Sequence, residues 1–243
     1  MRTLDWDSRF FGLRIAQVDP PSAEQDVAEF LAAAREQYVD CLFCLVRADA
    51  LAQQWLLESA GFVARDLRLE FHRSVSPIAT DESGLRRWIP GDVDSLARTA
   101  ATAFHATRYA ADPHFPRDAV ARLYETWLRN SCAGFADEVL VLGPPGAAQG
   151  FVTLHVDASR REARIGLIAV AGASRGSGAG RRLVEGAMAW VRRRDCHDLC
   201  VVTQGSNVAA QRLYQRCGFV THSAKIWYHA WPAPAATTRE DHP

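Results

Sequence analysis

The sequence predicts an α/β protein, and three stretches carry that prediction. Residues 165–170 are an apolar run typical of a buried strand. A glycine-rich segment follows at 175–180, and Leu183, Ala187 and Val191 then recur at helical spacing. Residues 65–71 alternate between polar and apolar side chains, as in a strand with one buried face. A strand, a glycine loop and a helix in this order form a cradle for a pyrophosphate, because the helix N-terminus favours an anion.

Composition excludes several classes of protein. The 28 basic and 28 acidic residues among 243 cancel, so the chain has no electrostatic footprint for nucleic acid. No apolar run reaches the roughly 18–20 residues of a membrane span, and the N-terminus lacks the hydrophobic region of a signal peptide. Six cysteines without such a signal are interpreted as reduced thiols. The protein is therefore expected to be cytoplasmic.

Cys41 and Cys44 have the spacing of half a zinc site, but they lie in an apolar run. That run is interpreted as a buried strand, since a second Cys-x-x-Cys pair is missing from the sequence. The prediction for metals is therefore that none is bound.

Residues 1–75 are predicted to form a first unit. A polar turn leads into a short strand, and residues 23–38 then have a helical pattern with Val27 and Ala34 on the apolar side. A buried strand at 42–46 is followed by a helix for which Gly61 is the expected C-terminal cap. The alternating strand at 65–71 completes the unit.

A second and larger domain is predicted over residues 84–231, after a polar linker at 74–83. It begins with a strand and a helix up to residue 104, a polar and aromatic loop at 105–117, and a helix at 119–130. Strands at 139–142 and 150–156, joined by a turn at 143–146, predict a hairpin. After the segments around the glycine loop, a last strand is predicted at 224–231, and the tail at 232–243 is expected to be disordered.

The glycine loop does not match two common phosphate-binding motifs. A P-loop requires Gly-Lys-Ser/Thr, whereas Gly180 is followed by two arginines. A dinucleotide fingerprint requires G-x-G-x-x-G, and the last gap here is wrong. The loop resembles instead the Arg/Gln-x-x-Gly-x-Gly/Ala motif of the GNAT (Gcn5-related) N-acetyltransferases, present here from Arg175 to Gly180. A second block, a strand at 199–203 followed by Asn207 to Phe219, is similar to the same family in order and spacing.

This resemblance implies the GNAT fold, with a mixed and mostly antiparallel sheet. Residues 1–75 look like a partial, degenerate GNAT-like α/β domain, because aligning Gly61 with Gly218 pairs Leu56 with Leu213 without gaps. This first copy lacks a glycine-rich loop and is expected to act as a scaffold and to line one wall of a cleft. Residues 5–12 and the block from 104 to 131 resemble the bacterial dTDP-fucosamine acetyltransferases, which carry such a partial domain before the complete one.

The function that the resemblance implies is acyl-CoA-dependent N-acetyl transfer. Acetyl would move from acetyl-CoA to the 4-amino group of a dTDP-linked 4-amino-4,6-dideoxyhexose, in a ternary complex, for surface polysaccharide biosynthesis. A protein, a peptide or another small-molecule amine stays open as the acceptor, and so does a non-catalytic acyl-CoA-binding module. The expected partner is thus a small-molecule amine, with no nucleic acid and no membrane, and a homodimer is left open.

The resemblance also implies roles for residues around the cofactor. A bulged strand would offer backbone N–H groups to the pantetheine arm and to the thioester oxygen. Asn207 would bind the pantetheine, with an N-cap as its alternative role. Tyr214 would be the general acid that protonates the departing sulfur, with core packing as its alternative. The residues implied for acetyl-CoA are Leu167, Ile168, Ala169, Val170, Arg175, Gly176, Ser177, Gly178, Ala179, Gly180, Asn207, Ala210 and Tyr214.

The general base and the acceptor site are predicted from fewer signals. Asp66 and Glu70 share one side of the strand at 65–71, and in the resembling branch an acid just after the Gly-Phe pair accepts the proton through water. Asp66 has that position, and a solvated strand face is the alternative for both acids. The loop residues His105, Arg108 and Asp112 are predicted to contact the acceptor, Arg108 through a bidentate fork to phosphates. His155 is interpreted as structural.

Overall fold

The computed structural model describes residues 1–75, 84–104 and 107–232. Most of the predicted linker, and the predicted tail beyond residue 232, therefore lie outside the described residues. The strands are β1 (Arg2–Thr3), β2 (Ile15–Val18), β3 (Cys41–Arg47), β4 (Val63–Ser74), β5 (Leu85–Arg87), β6 (Glu138–Leu142), β7 (Gly150–Asp157), β8 (Glu162–Val170), β9 (Asp198–Gln204) and β10 (Val220–Ala230). The helices are α1 (Asp5–Phe11), α2 (Glu24–Glu36), α3 (Leu51–Ser59), α4 (Val93–Ala103), α5 (Arg117–Asn130), α6 (Ala179–Arg192) and α7 (Val208–Arg216). Within the described ranges, no helix combines the length and the apolar character that crossing a membrane requires.

The chain folds into two compact units. Of the described residues, unit 1 comprises 1–68, 111–119 and 224–232, and unit 2 comprises 69–75, 84–104, 107–110 and 120–223. These units differ from the predicted ranges 1–75 and 84–231, because two later segments of the chain join unit 1. That residues 1–75 are a degenerate copy of a GNAT domain stays a prediction.

Unit 1 is built on strands in the order β1-β2-β3-β10. β2 runs parallel to β3, whereas β1 and β10 are antiparallel to their neighbours. β3 is buried along most of its length, and burial raises the pKa of the Cys44 thiol to about 12. Val27 and Ala34 of α2 are buried as the helical pattern predicts. Cys41 and Cys44 thus belong to a buried strand, as predicted.

Unit 2 contains the strand order β4-β9-β8-β7-β6-β5. β8 and β9 are parallel, while β5, β6, β7 and β8 form successive antiparallel pairs. This arrangement confirms the predicted mixed, mostly antiparallel sheet and the hairpin of β6 and β7. Leu183, Ala187 and Val191 of α6 are fully buried in the main apolar cluster of the unit, as their helical spacing predicts.

β8 contains a bulge near its middle. Val152 of β7 lies opposite Ile168, but Leu154 lies opposite Ile165, so two steps along β7 correspond to three along β8. The extra residue belongs to the pair Gly166–Leu167, and the N–H of Leu167 donates to Oγ1 of Thr153 at 2.8 Å. Such an insertion bends a strand and redirects its side chains. The bulge lies at the start of the stretch for which the GNAT resemblance implies one.

Candidate functional site

The parallel pair β8–β9 opens before either strand ends. Its register runs from Glu162 opposite Asp198 to Ile165 opposite Val201. β8 continues to Val170 and β9 to Gln204, yet no further pair joins them in the part of the chain that the structure describes. The second half of β8 therefore has a backbone edge that is not used by β9.

Two amide groups point to this open edge. The N–H of Ala171 donates to the carbonyl of Gln149, on the β7 side, at 2.8 Å. Successive amides of a strand point to opposite edges, so the N–H groups of Ile168 and Val170 are directed to the β9 side. Among the described residues, β9 offers them no ladder partner there, and they suit a polar chain lying in the opening.

The glycine loop follows β8 directly. Gly172–Ser174 form a 3₁₀ turn, and Oγ of Ser177 donates to the carbonyl of Ser174 at 2.7 Å. Gly176 and Gly178 have φ of +78° and +85°, a region that only glycine enters without strain. A Cβ added at either residue would meet no atom within 4 Å. The loop therefore combines an unusual backbone conformation with open space around it.

The loop ends at the N-terminus of α6. Gly178 is the N-cap and has no side-chain cap, and the N–H of Arg182 donates to its carbonyl at 3.1 Å. The amides of the first three helical residues, from Ala179 to Arg181, precede that first helical bond and have no acceptor within the helix. Gly180 has another role, because a Cβ there would lie 3.1 Å from Cδ2 of Leu213. Its lack of a side chain allows α6 to approach α7.

The predicted pantetheine contacts lie at the start of α7. Oδ1 of Asn207 accepts from the N–H of Ala210 at 3.1 Å, which is the geometry of an N-cap. The capping role of Asn207 is thus present in the structure. The side-chain amide nitrogen of Asn207 is not part of this cap. A contact to pantetheine stays a prediction for Asn207 and for Ala210.

Tyr214 lies in the core of unit 2. Its side chain is 3% exposed, with ring centroids of Phe71 and Phe219 at 5.8 and 5.9 Å. The cluster around it also contains Ile168 and Val170, the residues whose amides face the opening. Burial raises the pKa of the Tyr214 hydroxyl, and Cys217 acts in the same direction. Tyr214 is therefore a packing residue that stays protonated, and its catalytic role stays a prediction.

The two acids proposed as bases are both on β4 and both half-buried. Asp66 belongs to unit 1 and Glu70 to unit 2. Oε1 of Glu70 lies 3.1 Å from Nε2 of His72, and the ring of His72 stacks on His222 with centroids 4.1 Å apart. Glu70 thus has a structural partner, and a role as base remains a prediction for both acids.

Glu70, His72 and Cys200 form a set whose ligand atoms all lie within 4.8 Å of one another. The guanidinium of Arg164 is hydrogen-bonded to the sulfur of Cys200, and the carboxylate of Glu70 interacts electrostatically with the same guanidinium. A cation at this point would be repelled by Arg164, which already supplies the positive charge. We therefore assign the set to a polar network of the sheet face, and the prediction that no metal is bound stays a prediction.

The predicted acceptor loop is described only in part. His105 lies outside the described residues. Arg108 donates from Nη2 to the hydroxyl of Tyr109 at 2.6 Å, and its guanidinium lies 4.6 Å from the centroid of that ring. Arg108 is thereby held in one orientation, and its contact with phosphates stays a prediction.

Asp112 is a buried structural acid of unit 1, which the loop composition did not suggest. Its Oδ2 accepts from Nδ1 of His229 at 2.8 Å and from Nε1 of Trp231 at 3.0 Å, while Oδ1 is 2.9 Å from Nδ1 of His114. Burial alone would raise the pKa of this carboxyl, but the hydrogen bonds outweigh it and hold the pKa well below its usual range. Both oxygens are engaged inside the protein, so the geometry does not support the predicted substrate contact.

A cavity of about 470 Å³ in unit 2 is the feature that the sequence did not reveal. Its lining residues are Phe135, His155, Val156, Asp157, Arg160, Glu162, Ala163, Arg164, Gly166 and Cys200. The only sequence signal is the alternation along β7, which places His155 on the face opposite Val152 and Leu154. Finding the cavity also requires the registers of β7, β8 and β9, which are not local in sequence.

Comparison with known proteins identifies a family and several relatives. Residues 94–219 match the profile of the acetyltransferase (GNAT) family. The chain is 34% identical over 140 residues to the dTDP-fucosamine acetyltransferase of Escherichia coli O6:H1, covering 57% of this chain and 59% of that protein. It is 30% identical over 147 residues to the spore coat polysaccharide biosynthesis protein SpsD of Bacillus subtilis (strain 168), covering 60% and 50%. It is 33% identical over 152 residues to the mycothiol acetyltransferase of Salinispora arenicola, covering 59% and 47%.

The chain thus spans between 47% and 59% of the length of these curated relatives. Among solved structures, a GCN5-related N-acetyltransferase from Sphaerobacter thermophilus superposes with a TM-score of 0.65 at 17% identity, over 93% of this chain and 75% of that one. A tandem GNAT protein from the clavulanic acid biosynthesis pathway superposes with a TM-score of 0.58 at 14% identity, over 86% and 69%. At such identities the likeness concerns the fold.

Proposed function

Because the chain belongs to the acetyltransferase (GNAT) family, we propose that it transfers an acetyl group from acetyl-CoA to a small-molecule primary amine. The observation that carries this proposal is the opening between β8 and β9, which leads directly into the glycine loop and the N-terminus of α6. Polar donors line both parts, as a long molecule with amide groups and a pyrophosphate requires. The site thus fits acetyl-CoA before any acceptor is considered.

The pyrophosphate of acetyl-CoA would lie at the start of α6. Free amides at Ala179, Gly180 and Arg181, together with the helix dipole, favour an anion there. The exposed Arg175 adds a positive charge at the beginning of the loop. The open space at Gly176 and Gly178 is where the phosphates would approach the backbone. The pantetheine arm would then lie in the opening and accept hydrogen bonds from the N–H groups of Ile168 and Val170.

Acetyl transfer requires a neutral amine, a polarised carbonyl and a protonated leaving group. The amine nitrogen attacks the thioester carbon, so a C–N bond forms and negative charge develops on the oxygen. Backbone donors at the open edge of β8 would stabilise that charge. The C–S bond then breaks, and the proton that converts the thiolate into CoA would come from the hydroxyl of Tyr214. Burial keeps the phenol protonated, so the proton is present before the C–S bond breaks.

The acceptor that we propose is a dTDP-linked 4-amino-4,6-dideoxyhexose. Similarity to a dTDP-fucosamine acetyltransferase and to a spore coat polysaccharide biosynthesis protein supports an amino sugar. Arg108 is the residue that we propose for its phosphates. Similarity to mycothiol acetyltransferases favours a second small-molecule amine, the acceptor of those enzymes, as the other candidate.

A panel of acceptors tests both parts of the proposal. Purified protein is incubated with acetyl-CoA and dTDP-4-amino-4,6-dideoxyhexoses, the mycothiol precursor, or peptide amines, and products are identified by mass spectrometry. Thiol reagents are avoided as the readout, because the chain has free cysteines of its own. We expect acetylation of a dTDP-amino sugar. Acetylation of the mycothiol precursor or of peptides alone would change the acceptor class, and binding of acetyl-CoA without any product would indicate a non-catalytic module.

A further inference from the structure

The cavity of unit 2 is separate from the residues that we assign to acetyl-CoA, except that it reaches the bulge of β8. His155 of β7, Arg164 and Gly166 of β8, and Cys200 of β9 lie along its wall, and Phe135 is at one side. Gly166 is the residue next to Leu167, at the point where β8 and β9 begin to separate. The cavity thus begins at the point of β8 where the opening between β8 and β9 starts.

His155 lies directly against this point. A Cβ atom added at Gly166 would be 2.6 Å from Nε2 of His155 and 2.9 Å from its Cδ2. Phe135, which is 74% exposed, contacts the imidazole edge-on with centroids 5.4 Å apart. Within the described ranges, neither ring nitrogen of His155 takes part in a hydrogen bond. The ring is therefore positioned by packing, and its nitrogens are available to a ligand.

His155 and Tyr214 lie on opposite faces of the sheet. Val152 and Leu154 of β7 belong to the apolar cluster that contains Tyr214, so the intervening alternation places His155 on the other face. Cys200 has the same relation to Leu199 and Val201 on β9. Tyr214 and His155 therefore lie on the two sides of the sheet in which β8 and β9 separate.

We propose that this cavity receives the amine end of the acceptor and that His155 is a catalytic residue that accepts the proton lost by the amine. The assignment rests on the proposed acetyl transfer. When the nitrogen has attacked the thioester carbon, it carries a positive charge and an extra proton. That proton passes to the neutral imidazole, the C–S bond breaks, and the sulfur takes a proton from Tyr214. The products are the amide, CoA, an imidazolium and a phenolate, and proton exchange with water restores both side chains.

The charges around His155 support a neutral ring. Burial lowers its pKa, Arg164 acts in the same direction, and Asp137 opposes both. Three further charged residues line the cavity, and Arg160 and Glu162 form an ion pair at 3.5 Å while Asp157 accepts from the hydroxyl of Ser159. An imidazole that is neutral near pH 7 is ready to accept a proton. Glu70, by contrast, already lies within hydrogen-bond distance of His72 and does not line the cavity.

The test is His155→Gln, which keeps a polar side chain but cannot accept a proton at neutral pH. With the acceptor found in the panel, we expect kcat to fall by roughly 10²–10⁴. The acidic limb of the wild-type pH–rate profile should disappear, while the thermal shift produced by acetyl-CoA stays unchanged. His197→Gln is the matched control, because His197 is an exposed histidine outside the cavity. It should keep the wild-type rate and pH profile.

Gly166→Ala is a second variant for the case that His155→Gln does not fold. Its methyl group would lie 2.6 Å from Nε2 of His155 and 2.8 Å from Oγ1 of Thr153, so it must displace the imidazole, and we expect a lower kcat. Because Thr153 accepts from the amide of Leu167, the thermal shift produced by acetyl-CoA is measured beside kcat, and only a loss of kcat at an unchanged shift supports His155. A His155→Gln rate within threefold of wild type with the same acidic limb overturns the assignment. Loss of that limb in Glu70→Gln instead would assign the base to Glu70. If the wild type acetylates no acceptor, the proposed function itself fails and the role of His155 fails with it.

Discussion

Replacing Tyr214 by phenylalanine separates its two roles, because the change removes one oxygen atom and leaves the ring. Within the described residues, the hydroxyl of Tyr214 has no hydrogen-bond partner, and the ring contacts Phe71 and Phe219. Tyr214→Phe therefore breaks no hydrogen bond inside the protein and keeps the apolar packing. We expect a change in unfolding free energy below about 1 kcal/mol, since no hydrogen bond within the described residues is lost.

The effect on turnover should be far larger. If the hydroxyl protonates the CoA sulfur, its removal costs a positioned general acid, which is typically worth about 10²–10⁴ in rate. Binding of acetyl-CoA should be unchanged, because the amides of Ile168 and Val170 and the glycine loop are intact. The measurement is single-turnover kinetics by mass spectrometry, so that product release does not hide the chemical step.

Tyr228→Phe is the matched control. Tyr228 is another buried tyrosine, but its hydroxyl donates to Oε1 of Glu58 at 2.7 Å in unit 1. Loss of a hydrogen bond to a charged group should cost about 1.5–3 kcal/mol of stability. Turnover should remain at the wild-type level. We thus expect Tyr214→Phe to lose turnover and keep stability, and Tyr228→Phe to lose stability and keep turnover. Near wild-type single-turnover rates in Tyr214→Phe would leave Tyr214 with a packing role only.

Three further variants test the other assignments. Gly178→Glu places a negative charge in the anion cradle and should abolish the thermal shift produced by acetyl-CoA; Gly61→Glu, also at positive φ with open space, should not. Arg108→Ala should raise the acceptor KM much more than the acetyl-CoA KM, and equal effects would indicate a structural arginine. Asp112→Asn should lower the unfolding free energy by about 3 kcal/mol at pH 7 without changing the acceptor KM, and a raised KM at wild-type stability would restore the predicted contact.

Asp112 also gives a pH dependence whose sign follows from its hydrogen bonds. Its pKa is lower in the folded protein than in the unfolded chain, where an aspartate has a pKa of about 3.9. The stability that it contributes is complete above that value and is lost as the pH falls toward the folded pKa. The variant Asp112→Asn therefore approaches the wild type in stability only in strong acid.

The strand, loop and helix of the candidate cofactor site could be predicted because their signals are contiguous in sequence. The strand at 165–170, the glycine loop and the helix with Leu183, Ala187 and Val191 follow one another without interruption, and each has its own periodicity or composition. α7 is a similar case, since its helical pattern indicates that Tyr214 packs with Leu213 and Ala210. The residues within each of these elements determine whether a strand, a loop or a helix forms, so a single sequence is enough to predict them.

The role of Asp112 could not be predicted, because its partners are distant in sequence. The polar loop around it is equally compatible with a surface contact and with burial. Asp112 is buried because it accepts hydrogen bonds from His229, which is 117 residues further along the chain, and from Trp231. The same reason applies to β10, which the sequence predicts in the second domain but whose residues from Lys225 onward pair with β3 in unit 1. Strand partners are a non-local choice that periodicity does not encode.

The bulge of β8 connects the two sides of the proposed site. Ala163 and Ile165 face the apolar cluster, and strict alternation would bring Leu167 and Ala169 to the same face. Instead Ile168 and Val170 pack there, because the extra residue resets the alternation. At this bulge the amide of Leu167 donates to Thr153, and Gly166 lies against His155. A side chain at position 166 would collide with the imidazole, so glycine is required where β8 leaves β9. One inserted residue therefore keeps the core packed beside Tyr214, frees the backbone for the thioester, and leaves room for the ring to which we assign the proton of the amine.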